Sequence, residues 1–215
     1  MRPPDRLGEL LREAACGRFP PVDGVVEVLP EPAGRADAVV AFTGHNVVAC
    51  PLPAHEVLAL VPPDDPYGGP MTAGFLHRLG ERLDAEPGMI DAVLAVAADA
   101  RPSAAPLPVE RADAVDHARV ERSLRYRDGV EAFAAEGGVL TIGRGLTGRI
   151  EVAVEVDEPS RGGGLGRALA VAGLVLAPPA EPVFAQVSPG NAASLRAFLA
   201  AGYRPIGSEV LFLRR

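Results

Sequence analysis

The sequence predicts an α/β fold. Short β-branched runs bounded by Gly, Pro and Asp, such as VVEVL at 25–29, read as strands, while longer segments with apolar residues three and four apart read as helices. The two kinds alternate along all 215 residues, and 48% hydrophobic against 23% charged is the balance of a globular chain long enough to bury a sizeable core.

In order, a helix is expected over 5–15, then strands over 25–29, 37–42 and 47–50, with Thr43, Gly44, His45 and Asn46 turning between the last two. Helices over 54–60 and 72–83 and a buried strand over 91–97 complete a first α/β unit that carries no chemical motif. The proline-rich ARPSAAPLP at 100–108 reads as a linker, which divides the chain into an N-terminal α/β subdomain of unknown role, 1–104, and a second domain, 105–215. The second part begins with a helix over 114–125 and strands over 130–134, 139–142 and 149–156. A helix over 164–176 follows, with Leu165, Ala168, Leu169, Ala172 and Leu176 on one face. A strand over 183–187, a helix over 192–201 ended by Gly202 and a strand over 209–213 close the chain.

Composition excludes several chemistries. Lysine is absent, so all 21 basic residues are arginine, and neither a Walker A motif nor a Schiff-base lysine can occur. The two cysteines, Cys16 and Cys50, are too few and too far apart for a disulfide framework or a zinc site; reduced thiols and no metal are expected. The net charge of -7 argues against nucleic acid and for cationic partners. No apolar run approaches the ~18 residues of a membrane span, and MRPPDRLGELLREAAC lacks a signal-peptide core, so the expected location is cytoplasmic. The four histidines are isolated and receive no functional role.

Two glycine-rich blocks differ in what surrounds them. Gly143, Gly145 and Gly148 spell G-x-G-x-x-G after a strand, but RIEVAVEV follows with period two, so this block is expected to turn a β-hairpin rather than bind a dinucleotide. RGGGLG, 161–166, is entered by a strand and left by a helix, and a second strand follows. Glycine costs roughly 0.5–1 kcal/mol per helical position relative to alanine, whereas each hydrogen bond to a charged acceptor returns about 1.5–3 kcal/mol. Bare N–H groups at a helix N-terminus favour an anion, so the block is shaped to hold a phosphate or pyrophosphate; a loop allowing close helix-to-strand packing is the alternative.

Arg161, Gly162, Gly163, Gly164, Leu165 and Gly166 match the Q/R-x-x-G-x-G/A motif of the GNAT superfamily of acyl-CoA N-acyltransferases, which the chain resembles over roughly residues 105–215. A second segment, VSPGNAASLRAFLAAGYRPIG, is similar to that family's strand-loop-helix region through Asn191, Ser194, Gly202 and Tyr203. The resemblance implies a mixed, mostly antiparallel twisted sheet flanked by helices, and transfer of an acetyl group from acetyl-CoA to a primary amine in a direct ternary complex. It also implies that N–H groups from Gly162 to Arg167 hold the pyrophosphate and that pantetheine lies between strands 149–156 and 183–187, beside Val154 and Val156. Asn191 would bond the cofactor arm, cap the following helix, or do both. The acceptor would be a small molecule or a peptide, and the first hundred residues would cover its site or mediate dimerisation.

One position departs from the family pattern. The helix tyrosine that often serves as general acid falls at Phe198 here, while Tyr203 reads as core packing. For the base, Glu151 and Glu155 share one face of IEVAVEV opposite Ile150, Val152, Val154 and Val156. One of them, Glu151 in preference, would accept a proton directly or through water; salt-bridged or solvated glutamates are the other reading. A different class stays open beside the enzyme: a CoA-binding regulatory or structural module without turnover.

Overall fold

A computed structural model describes residues 5–65, 67–112 and 117–214. Asp5 opens the first helix, α1 (Arg6–Ala15), by accepting from the Gly8 N–H at 3.1 Å, and the helix buries Leu7, Leu10, Leu11 and Ala14. Strands β1 (Val26–Leu29), β2 (Ala36–Phe42) and β3 (His45–Ala49) follow, and the β2–β3 turn is made at Gly44, whose φ of 66° is unstrained only for glycine. After α2 (Ala54–Leu58), α3 (Ala73–Leu83) is capped by Thr72 and packs Phe75, Leu76 and Leu79; β4 (Asp91–Val96) comes next. The rest of the chain gives β5 (Glu110–Ala112), α4 (Ala118–Tyr126), β6 (Asp128–Ala135), β7 (Gly138–Arg144) and β8 (Ile150–Val156). Then come α5 (Leu165–Leu176), β9 (Val183–Val187), α6 (Ala192–Ala200) and β10 (Arg204–Leu213).

These strands form one sheet in the order β1-β3-β2-β10-β4-β9-β8-β7-β6-β5. Only the β1–β3 and β8–β9 pairs are parallel, so the sheet is mixed and mostly antiparallel with helices on both faces, the fold class expected. The sheet does not break at residue 104. β4, from the first hundred residues, lies between β9 and β10 and pairs antiparallel with both. The proline-rich segment is tied down as well: Arg101 donates to the carbonyls of Leu174, Ala177, Pro178 and Glu181, satisfying the C-terminal end of α5 with a cation.

Alternation along β4 separates the two faces. Leu94 and Val96 join the core under α5 and α6, whereas Val93 and Ala95 join the core under α1. A third cluster packs α2 and α3 against Val39, Val48, Val210 and Phe212.

The structure departs from expectation in several places: His45 and Asn46, expected in the turn, open β3. β5 was not expected, because three residues beside a proline-rich run carry no readable period. β10 starts at Arg204 rather than 209, since a bulge between Pro205 and Gly207 carries the strand past the proline. There a Cβ on Gly207 would stand 2.4 Å from the Ala41 carbonyl oxygen, so only glycine allows the approach. The helix expected over 114–125 begins, as described, at Ala118, with residues 114–116 outside the described residues; His117 caps it by accepting from the Arg119 N–H at 3.0 Å.

Candidate functional site

β8 and β9 pair at only two positions, Ile150↔Val183 and Glu151↔Phe184, and then diverge. A cavity of about 270 Å³ lies at this opening; Val154, Val187, Asn191 and Phe198 line it, and so do Asp91 and Glu209. It therefore joins the α5–α6 side of the sheet to the side that carries α4.

On the first side, RGGGLG forms the entry to α5. Gly162 and Gly164 both have φ of +87°, a region that L side chains adopt only with strain, and Cβ atoms on Gly162, Gly163 or Gly164 would meet nothing within 4 Å. Gly164 is the N-cap and has no side chain to satisfy the first amides. Arg161 turns back, its Nε donating to the Val156 carbonyl at 3.2 Å, while Leu165 and Gly166 are half-buried and Arg167 is exposed. The block is exposed from Arg161 to Gly164 and leads into the N-terminus of α5, where backbone N–H groups and the helix dipole favour an anion. Asn191 caps α6 by accepting from the Ser194 N–H at 3.0 Å and also lines the cavity.

The opposite side is built from charge. Arg119, Ser123 and Arg127 recur every fourth residue and turn one stripe of α4 toward β7 and β8. Ser123 bonds Thr141 at 2.8 Å, and Arg127 donates to Glu151 at 2.5 Å and to the Gln186 Oε1 at 2.8 Å. Arg149 bonds Glu151 at 2.8 Å and Glu209 at 2.6 Å, and the Gln186 amide reaches both glutamates. Glu209 is 1% exposed, yet its Oε2 has no partner. Directly across from it on β4 is Asp91, half-buried in the cavity wall, whose pKa is pushed up to about 6 by burial and then by the nearby Glu209 charge.

Both glutamates considered for the base are ion-paired, the other reading offered for them. Glu151 is 1% exposed, does not line the cavity, and has both oxygens in ion pairs. Burial alone would push its carboxyl up, but Arg149 and Arg127 together bring it below the ordinary value, so it is a poor proton acceptor. Glu155 is engaged by Arg119 at 3.1 Å and also lies off the cavity. The G-x-G-x-x-G block does turn a hairpin and serves this cluster besides: a Cβ on Gly145 would come within 2.2 Å of the Glu151 carboxyl. Phe198 is 3% exposed and meets the Tyr203 ring edge-on, centroids 4.9 Å apart, with Tyr203 buried as core.

Sequence reasoning did not single out the cavity-lining Asp91 and Glu209. Each stands first in an otherwise apolar expected strand, DAVLAV and EVLFL, and a charge at the mouth of a buried strand was the available signal. Among the described residues no helix is long and apolar enough to cross a membrane, and no group of three or more His, Cys, Asp or Glu residues could hold a metal ion.

No family model matches the chain, and no curated protein matches it. Among solved structures, a GCN5-related N-acetyltransferase from Sphaerobacter thermophilus is 17% identical with a TM-score of 0.40, over 66% of this chain and 56% of that one. A GCN5-related N-acetyltransferase from Kribbella flavida is 18% identical with a TM-score of 0.41, over 66% of this chain and 65% of the other. An acetyltransferase of the GNAT family from Colwellia psychrerythraea is 11% identical with a TM-score of 0.38, over 66% and 63%. The chain thus spans less than two-thirds of each of these proteins, and likeness at this distance assigns neither substrate nor activity.

Proposed function

We propose that the chain is an N-acetyltransferase that moves an acetyl group from acetyl-CoA to an amine in a direct ternary complex. The observation that carries this reading is the divergence of β8 and β9 beside a cavity that Val154 and Asn191 line together with two carboxylates, Asp91 and Glu209. N–H groups from Gly162 to Arg167 hold the pyrophosphate, Val154 and Val156 flank the pantetheine, and Asn191 orients the arm. Acetyl-CoA supplies the acyl group as a thioester, and the amine nitrogen forms the new C–N bond as the C–S bond breaks.

Asp91 accepts the proton that the amine gives up. An alkylammonium titrates near ~10.4, and a carboxyl at about 6 narrows that gap by roughly two units relative to an ordinary aspartate. Glu151 and Arg149 are positioning residues, which act by holding Glu209 and Gln186 in the wall. Phe198 offers no proton to the departing sulfur; a thiol near pKa ~8.5 leaves as thiolate with little penalty near neutral pH, so solvent suffices. That same Phe198 favours one second reading, a CoA-binding module without turnover.

Thiol release beside a binding titration separates the two. Acetyl-CoA binds, thiol appears only with amine present, and Gly164→Glu abolishes binding by placing bulk and negative charge beside the pyrophosphate while the melt stays cooperative. Binding without thiol release across a broad amine panel supports the module instead, and unchanged affinity in folded Gly164→Glu removes the pyrophosphate assignment.

A further inference from the structure

The carboxylate end of the cavity has a cationic rim. Arg122 projects from α4 into the cavity lining, is exposed, and makes no ion pair among the described residues; its guanidinium rests over the Tyr126 ring, 5.2 Å from the centroid. Its neighbours on the inner stripe are engaged, Arg119 by Glu155 and Arg127 by Glu151. Its charge still reaches Asp91, where it opposes the rise in that carboxyl's pKa. The cavity wall thus includes Glu209, whose buried Oε2 lacks a hydrogen-bond partner, a second carboxylate opposite it on β4, and at the edge an arginine that makes no ion pair among the described residues.

A plain alkylamine would use only half of this. Its ammonium would meet Asp91 and Glu209, but it would leave Arg122 without a counter-charge. An occupant with no N–H or O–H donor at that end would leave the Glu209 Oε2 buried and unpaired, at the usual desolvation penalty, and only a cation would also balance the two adjacent carboxylates. We propose that the acceptor is an amine that also carries an anionic group, its ammonium held between Asp91 and Glu209 and its carboxylate or phosphate held by Arg122. Arg122 is then a specificity-determining residue. Beyond Tyr126 the cavity adjoins an open groove of about 770 Å³, with Arg125 in its wall, so an acceptor longer than the cavity has somewhere to extend. The inference rests on the acetyltransferase reading in taking the occupant to be the acceptor.

The test is calorimetric titration of the full chain with ω-amino acids of two to eight carbons, each beside the n-alkylamine of equal length, and with the corresponding aminoalkyl phosphates. At one chain length a zwitterion is expected to bind at least tenfold more tightly than its alkylamine, and the better of the carboxylate and phosphate series identifies the anionic group. Arg122→Gln, a change at an exposed position, should bring that ratio close to one with alkylamine affinity unaltered. Glu209→Gln should weaken every amine; because Glu209 also pairs with Arg149, Asp91→Asn provides the same reading without opening that ion pair. Alkylamines that match the zwitterions at every length, or an Arg122→Gln protein that loses both equally, overturn the proposal. Acetyl-CoA titration and thiol release are read on the same samples. Absent cofactor binding with retained selectivity for zwitterions would count against the acetyltransferase reading, whereas cofactor binding with no such selectivity would count against this one.

Discussion

The two faces of β8 are made by alternate residues of one seven-residue strand and are held by opposite means. Ile150 and Val152 face α5, where Gly173 lets the helix approach so closely that a Cβ would stand 2.7 Å from a Val152 methyl. That face is dry and aliphatic, and its contribution follows buried area. Glu151 and Glu155 face α4, a helix whose only buried residues are Val120 and Ser123. α4 is fixed there by ion pairs and hydroxyl bonds rather than by an apolar stripe. Buried charge is costly to assemble and costlier to break, because removing one partner strands the other in low dielectric. The aliphatic face therefore supplies adhesion, and the charged face supplies a defined arrangement of polar groups beside a cavity.

Substitutions on the two faces should separate these roles. Glu151→Ala should give the largest loss, about 3–5 kcal/mol in denaturant melts, because Arg127 and Arg149 both lose a buried counter-charge. A loss below 1 kcal/mol would mean that the cluster is solvated and not a buried unit. Gly145→Ala should follow at about 1–3 kcal/mol, since its methyl overlaps the Glu151 carboxyl, and the loss should shrink in a Glu151→Ala background. Simple additivity of the two would deny the contact. Ile150→Val, on the dry face, should cost only about 0.5–1.5 kcal/mol and leave any activity unaltered.

Stability should also depend on pH through Asp91. Its folded pKa lies above the ordinary aspartate value, so the native state holds that proton more tightly than the unfolded chain. The resulting stabilisation is complete below about pH 4 and is lost as pH rises through about 6. Asp91→Asn should accordingly melt above the parent at pH 8, and the gap should close toward pH 4. A gap independent of pH would show that Asp91 is not the group responsible.

The alternation in IEVAVEV made both faces of β8 legible in the sequence, and strand-glycine-helix order made the α5 entry legible. What the glutamates touch was not legible, because their partners are remote: Arg127 lies 24 positions before Glu151, and the Arg149–Glu209 pair spans 60. Local periodicity assigns a face but not an occupant. The same limit hid the place of β4. The run DAVLAV reads as a buried strand, but only the assembled sheet shows it between β9 and β10, setting Asp91 against Glu209.

The central claim is that acyl transfer takes place in the opening between β8 and β9 with Asp91 as proton acceptor. The most direct measurement is the pH dependence of thiol release at saturating acetyl-CoA, for the parent and for Asp91→Asn. The parent rate should rise through an apparent pKa near 6 as Asp91 loses its proton, and Asp91→Asn should be slower by about 10²- to 10⁴-fold, without that limb and with acetyl-CoA affinity intact. Superimposable profiles for the two proteins would contradict the claim and remove Asp91 from the chemistry.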